Sequence, residues 1–409
     1  MPQTAQRVAL SLLLVVLLAA CESAPLRPEY GRPLPPGAPA LLKLGPDEPR
    51  PDWSVDFTRR ASLATATERS IEWMGKPSSR THFPIEGVTH ERALASLLRF
   101  RELVTTAADA GQFAAAIEAE FDVYKSAGWD GRGGGVLFTG YCTPILDGAL
   151  QPDAEHRYAL YAQPPDLVKD AQGNTLGQQT AGGLRPYPAR AEIDRQELLT
   201  GKGLELAWLR SPLDAFVAHV NGSAVIRLPD GSLHRLGYAA QNGRPYTSVR
   251  NALVADGQLS AERANLQGLR DWASRNPGRV QDYLDRNERY VFFLPIEGNP
   301  RGSLNVEVMA ERSLATDKSL FPRGAVTFIE THSGQRGGRR FRQFLLDQDT
   351  GGAIRTAGRA DIYVGVGPAA ERLAGATEEE GQLYYLFLRE SDRPTAKGPS
   401  IPSDPLRGA

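Results

Sequence analysis

Apolar residues are arranged in three ways along this chain. Positions 8–20 are apolar throughout except for Ser11, a run too short to span a bilayer. Farther on, apolar residues recur at helical spacing. A first helix is predicted over about 90–107. A second carries Phe113, Ile117, Phe121 and Tyr124 on one face and stops at Gly128. A third starts from Ser260 as N-cap and runs through Leu266, Leu269, Trp272 and Ala273 to the breaker "NPG" at 276–278. Such stripes are core faces. The third arrangement is strand-like: "GGVLFTGYCTPIL", "SAVIRLPDGSLHRLGYA", "RYVFFLPI", "GAVTFIETH" and "FRQFLLDQD" are rich in β-branched or aromatic residues and mostly bounded by Gly, Pro, Asn or Asp. "LPDGSL" predicts a tight hairpin turn at Asp230 and Gly231.

Strands and helices do not alternate regularly, which argues against a doubly wound sheet. The expectation is a mainly β fold, a pair of barrel-like units with a few flanking helices, and no internal repeat is visible.

The apolar run at 8–20 follows a short segment with one basic residue, Arg7. That order fits an export signal over 1–20. It closes with "LAAC", which resembles the lipobox of bacterial lipoproteins; the resemblance implies cleavage before Cys21 and lipidation of that residue. Each buried acyl methylene contributes about 0.8 kcal/mol, so several chains on one residue would anchor the protein stably in a membrane. Glu22 follows Cys21, where an aspartate would suggest inner-membrane retention, so the lipoprotein resemblance implies the outer membrane, with the protein facing the periplasm. The alternative is an ordinary secretory signal cut elsewhere, or a buried core segment. Residues 21–59 are proline-rich without clear periodicity and read as a tether, with the folded part starting between Trp53 and Thr65.

Charge and cysteine narrow the classes further. Lys and Arg number 47 against 48 Asp and Glu, with the signs mixed throughout, which argues against a nucleic-acid binder. With Cys21 lipidated, Cys142 is the remaining thiol, so no intramolecular disulfide is possible. Six scattered histidines give no zinc-type spacing; neither a metal nor a cofactor is expected. The remaining chain is long enough for two domains.

Two aspartates, Asp349 and Asp361, lie in the glycine-rich stretch "DTGGAIRTAGRADIYVGVGP". This stretch resembles the "3D" region of the membrane-bound lytic murein transglycosylase A family, named for three aspartates; "RSLATDKSLFPRG" supplies Asp317 as the first. "FTGYCTP" resembles the family's Phe-Thr-Gly-Tyr-Tyr-x-Pro signature. "RYALYAQPPDLV", "RAEIDRQELL" and "LAWLRSPLDAFVAHVNGSAVI" resemble its successive segments, and "GYAAQNGRPYTSV" its Gly-Tyr-x-x-x-Asn-Gly-x-Pro-Tyr pattern. The ordered set covers about 65–392. Cys142 stands where an aromatic is usual, Asn221 replaces a glutamine and Ala224 a glycine, and "NPRGSL" matches loosely.

The resemblance implies a double-psi β-barrel with a second β-domain inserted into it and a wide groove between the two. Mapped here, the barrel uses 60–144 and 249–395, the insert 145–248, and 396–409 is a tail. "GYCTP" and "NGRPY" fall at the two crossings, so Tyr141, Thr143, Asn242 and Tyr246 are either groove residues or hinge braces. Pro144, Gly222, Ser223, Gly351 and Gly352 complete the expected substrate-binding set, the last two because glycine lets a backbone approach closely.

The activity implied is cleavage of the N-acetylmuramic acid to N-acetylglucosamine bond of peptidoglycan without water, leaving a 1,6-anhydro ring. One acid-base residue then suffices where ordinary glycosidases use two. By resemblance that residue is Asp361. Its own surroundings in sequence allow two readings: an acid at the start of an apolar strand, with its pKa raised by burial, or a turn aspartate whose backbone hydrogen bonds lower it. Asp349 reads as an Asx-turn organiser or substrate contact, and Asp317 as a structural acid. Rival readings are a two-carboxylate glycoside hydrolase and a non-catalytic, expansin-like polysaccharide binder. Glycan strands are the expected partner, with cell-wall synthesis or division proteins as further ones, and a tethered monomer is the simplest state.

Overall fold

The computed structural model describes residues 28–170, 173–331 and 340–390; the expected leader, the lipidation site Cys21 and the tail 396–409 lie outside the described residues. Helix and strand are nearly balanced, at about 31% and 29%, so helices are more than the few flanking elements expected.

The chain opens with β1 (Leu41–Lys43), a 3-10 turn (Trp53–Arg59) and three helices, α1 (Arg60–Met74), α2 (His90–Thr106) and α3 (Ala110–Glu120). Thr89 caps α2 by accepting from the Arg92 amide, and Asp109 caps α3 by accepting from that of Gln112. At Phe121 the backbone turns extended and β2 (Phe121–Ser126) begins. Phe121 and Tyr124, expected on the helix, are therefore strand residues: Phe121 and Val123 are buried at a spacing of two, and sheet pairing outweighs the helical spacing. β3 (Val136–Thr143) follows.

A second body then intervenes. It contains β4 (Ile145–Ala149), β5 (Tyr158–Tyr161), β6 (Leu167–Lys169), β7 (Thr175–Thr180), β8 (Gly183–Arg185), α4 (Arg190–Arg195), β9 (Glu205–Leu209) and α5 (Pro212–Asn221). It continues through β10 (Ala224–Arg227), β11 (Leu233–Gln241), α6 (Val249–Ala255), α7 (Leu266–Arg275), α8 (Val280–Leu284) and β12 (Val291–Pro295). Six strands pair in the order β12-β11-β10-β4-β9-β5, and β6, β7 and β8 form a small separate sheet. β10 and β11 are the antiparallel hairpin expected from "LPDGSL", with Gly231 at a φ of 84°. Asn265, not Ser260, caps α7, its side chain accepting from the Gly268 amide. Val249, Leu253, Trp272 and Tyr283 pack with Leu213 and Phe216 of α5, while β12 pairs with β11. Residues 249–295, expected in the barrel, thus belong with the second sheet; their apolar faces have α5 to cover.

The chain returns with β13 (Ser313–Ala315), β14 (Val326–Thr331), β15 (Arg342–Asp349), β16 (Arg359–Val366), α9 (Pro368–Ala376) and β17 (Glu378–Leu388). Hydrogen-bonded neighbours run β17-β14-β15-β13-β16-β3, and β3 pairs back to β17, so these six strands form a cycle of pairings. β2 extends it from β17, and β1 from β2. Trp53 lies edge-on to Phe328 with centroids 5.2 Å apart. Asp56 makes a fully buried ion pair with Arg312 and accepts from the Phe344 amide at 3.0 Å. From Ala40 onward the stretch expected as a tether is therefore part of the folded body, because a buried charge needs fixed partners.

Candidate active site

The register of three strands creates the site. β16 lies between β13, antiparallel with Ala315 opposite Asp361, and β3, parallel with Thr139 beside Asp361 and Tyr141 beside Tyr363. Alternation along each strand then puts Thr139, Tyr141 and Thr143 on one face of β3, and Asp361 and Tyr363 on the matching face of β16. Asp361 is the third residue of β16 and not a turn residue.

Asp361 is half-buried, yet its Oδ1 is shut off from solvent and has no hydrogen-bond partner among the described residues. Burial pushes its pKa up to about 7; a hydrogen bond from Thr139 and the nearby Arg359 oppose that rise, and Asp349 adds to it. Arg359 also donates to the Thr139 hydroxyl at 3.2 Å. The result is a carboxyl group that is substantially protonated near neutrality with one oxygen uncommitted, which suits a general acid.

Asp349, at the end of β15, is fully engaged. Tyr141 donates to its Oδ2 at 2.6 Å, and the Ser303 and Thr350 amides each donate to Oδ1 at 2.8 Å. Burial raises its pKa, with Tyr141, the two amides and Lys318 pulling the other way. Gly302 makes the amide contacts possible: a Cβ there would sit 2.8 Å from the Gln348 carbonyl and 3.1 Å from Asp349 Cγ. Asp317 is buried and equally committed, accepting from the Ser319 amide (3.0 Å), the Ser319 hydroxyl (2.7 Å) and the Thr356 amide (3.0 Å). Although burial raises it, these bonds and Arg355 bring its pKa below the usual value. It ties the turn after β13 to the segment leading into β16.

The other expected residues separate into groups. Tyr141 stacks at a tilt on Tyr363, centroids 5.1 Å apart. The Tyr363 hydroxyl meets Thr143 Oγ1 at 3.1 Å, and Thr143 meets the Ser223 hydroxyl at 3.2 Å, so a row of hydroxyls crosses between the two bodies. The Pro144 carbonyl accepts from the Val225 amide at 2.9 Å at the same crossing, and Gly222, at a φ of 67°, ends α5 just before it. "NGRPY" lies inside the second body and not at a crossing, because the chain leaves that body only after β12; Tyr246 nevertheless faces Gly352, where a Cβ would lie 3.3 Å from Tyr246 Cβ and 2.6 Å from Arg289 Nη1. Gly351 adjoins them. Asn242 is a brace: it is buried, donates to the Pro188 and Glu288 carbonyls at 2.9 Å, and accepts from the Tyr290 amide at 2.9 Å. Asn221 folds back onto the Val217 carbonyl of its own helix. Cys142 is a buried thiol pushed up to about 12, chiefly by burial.

Thr139, Arg359, Tyr363, Ser303 and the buried Lys318–Asp347 pair, which also binds Thr316 and Tyr385, escaped the sequence reading. The spacing of two in "FTGYCT" and "ADIY" could have revealed the first and third; the others need cross-strand neighbours.

Two family descriptions match the chain: the MltA specific insert domain over residues 137–294 and the 3D domain over 312–387. Membrane-bound lytic murein transglycosylase A of Vibrio cholerae is 31% identical over 281 residues, spanning 67% of this chain and 71% of that protein. The chain belongs to the membrane-bound lytic murein transglycosylase A family. A membrane-bound lytic murein transglycosylase from Agrobacterium tumefaciens superposes with a TM-score of 0.70 at 26% identity, covering 86% of this chain and 98% of that one. The Escherichia coli MltA structure with bound chitohexaose shares the fold at a TM-score of 0.64 and 24% identity, covering 89% and 99%. The insert match ends within β12, where the second sheet ends, in agreement with the strand pairing and beyond the boundary expected from the transglycosylase A resemblance alone.

Proposed function

We propose that this chain is a peptidoglycan lytic transglycosylase that uses Asp361 as acid and then as base. The observation that carries this reading is the contrast between its two central carboxyls: Asp361, with its pKa pushed up to about 7 by burial, has an unpartnered Oδ1 among the described residues, whereas both oxygens of Asp349 accept hydrogen bonds. Asp361 gives its proton to the glycosidic oxygen as the bond from the muramic acid anomeric carbon breaks. The 6-hydroxyl of the same sugar forms the new bond to that carbon and returns a proton to the Asp361 carboxylate. No water is consumed, and the intramolecular hydroxyl arrives already positioned. Three donors already hold Asp349, two on Oδ1 and one on Oδ2, which makes it a weaker base toward water and weighs against a two-carboxylate hydrolase.

In this reading the cycle of six strands is a double-psi barrel, formed by residues before 144 and after 296, with 145–295 as the inserted β-domain. The groove lies between the bodies, lined by Tyr141, Thr143, Ser223, Tyr246 and Gly352. Cys21 carries the lipid that holds the enzyme on the periplasmic face of the outer membrane.

The test is digestion of purified peptidoglycan by the full chain and by Asp361→Asn, with fragments read by mass spectrometry. Anhydromuramyl ends made by the parent and absent from the variant are the expected result. Fragments one water heavier would make it a hydrolase, and glycan retention without cleavage a binder.

A further inference from the structure

Thr356 lies five residues before Asp361 and is held in a conformation that a β-branched residue rarely adopts. Its φ is 79°, in the left-handed region where the branched Cβ is crowded. Such a conformation persists when its surroundings fix it, and here three hydrogen bonds do so, one of them from the Gly358 amide to the Thr356 hydroxyl at 3.3 Å. The Thr356 amide donates to Asp317 at 3.0 Å, and its hydroxyl donates to the Tyr30 carbonyl at 2.6 Å. Tyr30 belongs to the N-terminal segment that precedes β1.

That segment is itself held at both ends. The Tyr30 hydroxyl donates to Glu380 on β17. The Ala40 carbonyl accepts from the Ala127 amide at 2.8 Å, and β1 pairs with β2. On β2, the Ser126 hydroxyl donates to the Ala357 carbonyl at 2.8 Å. Gly358 completes the junction: a Cβ there would lie 2.9 Å from the Tyr30 carbonyl oxygen and 3.0 Å from Trp129. The Gly358 carbonyl accepts from the Leu137 amide at 2.9 Å, which sets the start of the β16–β3 register that pairs Asp361 with Thr139. Leu137 is opposite Glu380 on its other side. Tyr30 therefore holds β17 on one side of the start of β3 and, on the other, the segment that leads into β16.

We propose that the segment from Tyr30 to β1 is a strap that positions the Asp361 strand, with Thr356 as the positioning residue through which it acts. The inference rests on the assignment of Asp361 as the acid. Without the Thr356 hydroxyl the segment 356–358 relaxes, the β16–β3 register loosens at its start, and Asp361 loses its alignment with the glycosidic oxygen. Thr356→Gly separates the two contributions, because glycine takes a positive φ without strain but cannot reach Tyr30.

The experiment compares the full chain with Thr356→Val, Thr356→Gly, Thr356→Ser and Asp361→Asn, measuring kcat and KM for peptidoglycan release across pH together with thermal unfolding. Thr356→Val and Thr356→Gly are expected to lower kcat roughly 10–100-fold with KM little changed. The alkaline limb of their kcat profile moves to lower pH, because solvent reaching Asp361 removes the burial that raises it. Thr356→Ser keeps the hydroxyl and restores both. Thr356→Gly with the parent's kcat and alkaline limb would overturn the proposal, and so would a kcat loss that serine fails to rescue. An active Asp361→Asn would instead remove the underlying assignment.

Discussion

Asp349 and Asp361 are both register partners of Ala315, Asp349 from β15 on one side and Asp361 from β16 on the other. Two strand spacings put their backbones about 9–10 Å apart. The three-residue strand β13 thus separates an acid with every oxygen engaged from one with an oxygen free. Replacing Asp361 by Asn keeps the shape and removes the proton. The expected loss is roughly 10²–10⁴-fold in kcat, with an unchanged circular dichroism spectrum as the control for folding.

The raised pKa of Asp361 also predicts a pH dependence of stability. An aspartate that titrates near 3.9 when unfolded and at about 7 when folded binds more protons in the folded state between those values. Folding stability therefore falls as pH rises through that window, and the cost is complete above pH 7. Asp361→Asn lacks this dependence. Its unfolding midpoint should rise relative to the parent between pH 4 and 7, by an amount equivalent to at most about 4 kcal/mol. A difference in midpoint that stays flat with pH would refute the shift.

Tyr141 is expected to matter through Asp349. Tyr141→Phe removes the 2.6 Å hydrogen bond while keeping the ring against Tyr363, and should cost about 1–3 kcal/mol in urea unfolding. A double-mutant cycle with Asp349→Asn checks the pairing: the coupling energy should be of the same size, and independent, additive effects would sink it.

Gly302 has no room for a side chain. Gly302→Ala drives a methyl against the Gln348 carbonyl and the Asp349 carboxylate, so overpacking of about 1–3 kcal/mol is expected. Activity should fall together with stability. A parent-like denaturation midpoint would show that the loop gives way freely.

Cys142 should behave as an inert thiol. Burial lifts its pKa to about 12, so the native protein at pH 8 should resist a soluble maleimide at the Cys142 peptide, and alkylation should follow global unfolding. Peptide mass mapping before and after denaturant reads the difference.

Much of this was written locally. The α2 stripe, the Asp230-Gly231 hairpin and the apolar strands around β14, β15 and β16 follow from side-chain period and turn chemistry, which act between near neighbours. The three aspartates stood out for the same reason, each in a short and recognisable context. Local spacing failed where distant partners decided the outcome. Phe121 and Tyr124 keep a helical interval but join β2 because β17 pairs there. The proline-rich stretch from Ala40 to Asp56 reads as a spacer until Arg312, 256 residues away, supplies the charge that Asp56 needs. The difference between Asp349 and Asp361 belongs to this second kind. Their sequence contexts do not say which oxygen is occupied. Only the cross-strand register brings Tyr141 and Ser303 to one acid and leaves the other half-buried with one desolvated, unpartnered oxygen, because desolvation and hydrogen bonding are set by neighbours that the chain order keeps far apart.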